Sequence, residues 1–124
     1  RELLWQSLRE ARRDIEVRFS YATTERLRNE VTLGCRALHY SGHGNPHYLS
    51  FEDRCGGLHV VDIDSLRTLC AAGPGDASSG ARRKGVEFVF VSACFSRMAG
   101  EAFVKAGVPH VVCVNVDVQL LDSA

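Results

Sequence analysis

The chain has 124 residues, 45% hydrophobic and 24% charged, enough for one small domain with a single core. Fifteen basic residues balance fifteen acidic ones, so net charge points to neither nucleic acid nor an anionic membrane as a partner. No apolar run approaches the ~20 residues that span a bilayer. No signal peptide is expected, and a chain that opens at Arg1 reads as a piece of a longer one.

In chain order, Leu3, Leu4, Trp5, Leu8 and Ala11 predict an amino-terminal helix with a mixed apolar side. Ile15, Val17, Phe19 and Tyr21 alternate as a strand near a sheet edge. Thr23 or Thr24 can cap a second helix with Glu25 in its first turn, Leu27 and Val31 on one side, and Gly34 at its end. Arg36 to Ser41 is the next strand. Tyr48-Leu49-Ser50-Phe51 and Leu58-His59-Val60-Val61 flank Gly56-Gly57 and predict a hairpin. Asp62 or Asp64 then caps a helix carrying Leu66, Leu69 and Cys70. Gly73-Pro74-Gly75 through Gly80, followed by Arg82-Arg83-Lys84, reads as a surface loop. Val86 to Val91 is nearly all apolar, as expected of a central parallel strand buried on both faces. Ala99, Ala102, Phe103 and Ala106 form a helical stripe closed by Gly107, and Val111 to Val116 is a last buried strand. The alternation predicts a doubly wound α/β sheet in a single domain over residues 1–124. The chain stops at Asp122-Ser123-Ala124, where another helix is expected, so the domain reads as truncated at its carboxyl end.

Cys35, Cys55, Cys70, Cys94 and Cys113 are odd in number, widely spaced and without a CxxC pair. That disfavours a disulfide framework and favours a reducing, cytoplasmic compartment. In open α/β sheets ligands bind beyond the carboxyl ends of the strands. Two such ends carry chemistry: Ser41-Gly42-His43-Gly44, and Val91-Ser92-Ala93-Cys94-Phe95-Ser96. If their strands are neighbours, a thiol and a base meet above the sheet, the requirement for nucleophilic cysteine catalysis. The N–H groups of Gly44 and Cys94 would then be placed to stabilise a tetrahedral oxyanion. His39, His43 and His47 are spaced by four, which gathers metal ligands only on a helix, and Gly42, Gly44 and Pro46 oppose one. Gly42-x-Gly44 lacks the third glycine of a dinucleotide fingerprint. No metal or cofactor is expected.

"LHYSGHG" and "VFVSAC", with 51 residues between His43 and Cys94, resemble the caspase-like cysteine peptidases, in which the roughly 50-residue spacing is known from caspases. This superfamily includes caspases, metacaspases, separases and CHAT domains. The resemblance is greatest to CHAT domains, through His43-Gly44, Ser92-Ala93-Cys94 and the later Val111 to Asp117. It implies a caspase-like three-layer sandwich with a mostly parallel central sheet. It also implies a cysteine endopeptidase with Cys94 as nucleophile, His43 as general base and acid, and an oxyanion hole from Gly44 and Cys94. Asp117 falls near an acidic residue that in relatives contributes to the substrate pocket. Ser92 stands where caspases have glutamine and metacaspases, two residues before the cysteine, have aspartate. The implied partners are a protein or peptide substrate and further repeat or switch domains in the same chain. Two rival readings share the fold: a catalytically silent interaction or signalling module, and a thiol hydrolase or transferase acting on a small acyl group.

Overall fold

In the computed structural model the described residues are 2–11, 14–71 and 85–115. Their elements run α1 (Glu2–Glu10), α2 (Thr24–Leu33), β1 (Ala37–Ser41), β2 (Tyr48–Glu52), β3 (Leu58–Asp62), α3 (Ile63–Ala71), β4 (Phe88–Ser92), α4 (Arg97–Lys105) and β5 (His110–Cys113). The protein is therefore mixed α/β. The loop predicted after α3, its basic Arg82-Arg83-Lys84, Asp117 and Asp122 lie outside the described residues. None of the described helices is long and apolar enough to cross a membrane.

Local chemistry sets the helix boundaries. Thr23 is extended, and its hydroxyl accepts from the N–H of Arg26 at 3.2 Å to begin α2. Gly34, at φ 84°, ends that helix in the left-handed conformation. Of the two aspartates expected at the start of α3, Asp62 is the cap. Its carboxylate accepts from the Ser65 N–H and hydroxyl, each at 2.8 Å. Those bonds, the backbone one foremost, hold the Asp62 carboxyl below the usual carboxylate range.

The larger sheet is parallel, in the order β1-β4-β5. Its register aligns Leu38 with Val89 and Tyr40 with Val91, and on the far side Val89 with Val111 and Val91 with Cys113. These side chains share one face because successive strand residues alternate. Leu27 and Val31 of α2, Leu66 and Cys70 of α3, and Ala99, Ala102 and Phe103 of α4 join them in the core. The antiparallel β2–β3 hairpin adds Leu49, Phe51 and Val61 to the same core. Burying each large apolar side chain contributes about 1.5–3 kcal/mol against the entropy of ordering it.

Three expectations fail, the first of them the burial of β5, whose residues are exposed or half-buried, with Val112 46% exposed. Residues 15–21 form no strand. Alternation was present, but Ile15 and Tyr21 are 51% and 69% exposed, and the segment is a strand of neither sheet. Apolar alternation needs a partner edge to become a ladder. The last concerns β4, which is central but not buried on both faces. Val89 and Val91 are fully buried, whereas Phe88 and Phe90 are 39% and 37% exposed. The opposite face of the sheet, with Ala37, His39, Phe88, Phe90, His110 and Val112, stays accessible, while α2 to α4 gather on the Leu38 side. An apolar run therefore identified the central strand without fixing how many of its faces are covered.

Candidate functional site

β1 and β4 are adjacent and parallel, and the last residue of each, Ser41 and Ser92, are paired. His43 and Cys94 each follow two residues later, beyond the same end of the sheet. The two chains remain attached past the strands, since the Gly42 N–H donates to the Ser92 carbonyl at 3.2 Å. Ser92 itself is half-buried at the strand end, and His43 is exposed.

Gly44 brings the two ends into contact. A Cβ at this position would stand 3.0 Å from the Cys94 carbonyl oxygen, 3.0 Å from Leu49 Cδ2 and 3.2 Å from Ala93 Cβ. A side chain here would crowd the Cys94 turn, so glycine eases the close approach of the backbone after His43. Gly44 also forms an isolated antiparallel bridge with Leu49. The bonds of that bridge are Ser50 N–H to His43 O at 2.9 Å and Asn45 N–H to Tyr48 O at 3.0 Å. It therefore does not use the Gly44 N–H.

Cys94 is half-buried in a tight turn between β4 and α4. Phe95, immediately after it, has φ 50°, the one non-glycine residue with positive φ among those described. For a bulky residue this conformation costs roughly 1–3 kcal/mol, and such strain clusters at functional sites. Ser96, fully buried, fixes the turn from beneath. Its hydroxyl donates to the Val91 carbonyl at 3.3 Å and accepts from the Val114 N–H at 3.0 Å, tying the ends of β4 and β5 together. Neither Phe95 nor Ser96 was singled out from the sequence. A left-handed φ has no signature in phenylalanine, and a serine after a strand reads as an ordinary helix cap.

Burial pushes the Cys70 thiol up to about 12. Burial first, and then a nearby glutamate, raises Cys35 beside Glu30 and Cys113 beside Glu101. A thiol held protonated is a poor nucleophile. Cys55 is exposed in the hairpin turn. No disulfide joins any of the five.

The three histidines spaced by four do not gather. The His39 ring packs on Phe90 with centroids 4.9 Å apart, and burial lowers its pKa. His47 is exposed in the loop before β2. Among the described residues no three histidine, cysteine or acidic side chains are placed to hold a metal ion. Of the predicted site residues, His43, Gly44, Ser92 and Cys94 lie at the shared carboxyl end of β1 and β4, while Asp117 lies outside the described residues. Compared with protein-family models and with curated proteins, the chain matches none.

Proposed function

We propose that this chain is a caspase-like domain of the CHAT kind that hydrolyses peptide bonds through Cys94 and His43. The observation that carries the reading is the contact of Gly44 with the Cys94 backbone at the shared carboxyl end of β1 and β4. Parallel pairing alone would bring two loops near each other. The side-chain-free approach at Gly44 and the positive φ at Phe95 are features that a plain connection between strand and helix does not need.

In this mechanism the His43 imidazole takes the thiol proton and the Cys94 thiolate attacks the scissile carbonyl. The oxyanion that forms accepts hydrogen bonds from the Gly44 and Cys94 N–H groups. His43 then protonates the leaving amine, and a water deprotonated by His43 hydrolyses the thioester. The amino end of α4, which begins at Arg97, favours negative charge on the nearby sulfur. Ser92 and Asp117 are proposed to line the substrate cleft. A further layer over the Phe88, Phe90 and Val112 face would complete the three-layer sandwich, in keeping with the rule that parallel sheets are covered on both sides. A reducing, cytoplasmic setting and peptide substrates follow from the same reading.

The test is covalent labelling with an electrophilic peptide, located by peptide mapping. Labelling is expected at Cys94, lost in Cys94→Ala and retained in Cys35→Ala. Labelling indifferent to Cys94→Ala would sink the proposal. A labelled Cys94 with no turnover of any peptide would favour the silent interaction module.

A further inference from the structure

Tyr40 stands three residues before His43 on β1, its side chain 7% exposed and its ring 5.4 Å from that of Phe51. A phenylalanine would keep the ring contact with Phe51, so the hydroxyl needs its own explanation. Its oxygen contacts two carbonyls, that of His43 at 3.2 Å and, more closely, that of Ser50. Ser50 in turn donates its N–H to the His43 carbonyl at 2.9 Å. The His43 backbone is thus clamped between a buried phenol and the edge of β2. The loop fits over the ring because residue 42 is glycine, where a Cβ would stand 2.5 Å from the Tyr40 oxygen and 2.9 Å from Cζ. The phenol shares one proton between two acceptors, and burial pushes its pKa up to about 12. It therefore remains a donor throughout the range in which a histidine and a thiol exchange a proton.

We propose that the Tyr40 hydroxyl is a positioning group for His43, pinning the backbone of the base against β2 so that its imidazole is held toward Cys94. This rests on the His43–Cys94 reading above. A base displaced by about 1 Å can lose up to 10²-fold in rate, so a single hydrogen bond to the backbone of the base has kinetic consequences.

The experiment is the pH dependence of Cys94 alkylation by iodoacetamide, followed at that site by mass spectrometry. It compares wild type, Tyr40→Phe, Gly42→Ala and His43→Ala, with melting temperatures recorded alongside. Wild type should react fastest of the four at neutral pH, through its imidazolium–thiolate pair. His43→Ala should react slowest there. Tyr40→Phe should fall between them, about tenfold to 10²-fold slower at neutral pH. Gly42→Ala, which displaces the hydroxyl while keeping the tyrosine, should reproduce that shift. If Tyr40→Phe and Gly42→Ala only lower the melting temperature and superimpose on the wild-type profile, while His43→Ala moves it, Tyr40 is a core residue and the inference fails by itself. If His43→Ala leaves the profile unchanged, the dyad reading fails and the positioning role falls with it.

Discussion

Two cysteines occupy turns in this protein, and the turns are built in opposite ways. Cys55 sits in the hairpin between β2 and β3, where one side chain organises everything. The Asp53 carboxylate accepts from the N–H groups of Cys55 at 2.8 Å and Gly57 at 2.7 Å, and the Asp53 N–H closes on the Gly57 carbonyl at 2.8 Å. Those bonds, with Gly57 foremost, hold the Asp53 carboxyl below its ordinary range. Cys94 sits in a turn held by residues far away in the chain. Ser96 ties it to Val114, and the Gly44 backbone passes close to its carbonyl from another strand end. A turn satisfied locally can be exchanged for another of its type. A turn supported from two other segments is fixed in place, which is the requirement for a group that must meet a partner.

The comparison breaks first on activity. His43→Ala should reduce peptide kcat/KM by roughly 10²- to 10⁴-fold, the usual share of a general base. Because His43 is exposed, its melting temperature should stay at the wild-type value. Cys55→Ser should leave turnover unchanged. Equal losses in the two variants would show that the turns do not differ in function.

Stability gives the next contrast. Ser96→Ala leaves the half-buried Val114 N–H without its bond, and should cost about 1 kcal/mol or more in denaturant unfolding. Asp53→Ala opens an exposed turn whose backbone groups can turn to water, so its loss in the same assay should be smaller. A larger loss for Asp53→Ala would mean that the Cys94 turn is not supported from beneath as described.

The smallest expected effect concerns the open sheet face. The His39 pKa is lowered by burial in the fold, so between that value and the unfolded value near 6.5 the unfolded chain binds more protons. Stability is then full above the unfolded value and declines as the pH falls through it. His39→Phe should flatten the fall in melting temperature between neutral pH and about pH 5. An unchanged slope would show that the His39–Phe90 face is fully hydrated.

Legibility in the sequence followed the range of the forces involved. The helices α2, α3 and α4 were readable because caps and apolar stripes act within a few residues, as at Thr23, Asp62 and Phe103. The hairpin was readable from Gly56-Gly57 between two apolar runs. The candidate site was half readable. Residue types and spacing picked out His43, Gly44 and Cys94, but not Tyr40, Phe95 or Ser96. Their roles depend on what lies across from them, and a tyrosine in a strand or a serine before a helix has several ordinary uses. The segment 15–21 shows the converse, since its alternation was real and found no edge to pair with.

By itself, the sequence determined where the chain turns, which stretches are apolar enough to form the core, and which two strand ends carry a thiol and a base. Those properties are local, fixed by side-chain size, polarity and backbone preference over a few residues. Tertiary structure alone decided that β1 and β4 lie side by side with Ser41 against Ser92, that Gly44 touches the Cys94 backbone, and that one sheet face remains accessible. The reason is that a strand's hydrogen bonds are satisfied only by another segment, so its neighbour and register are properties of the packed whole.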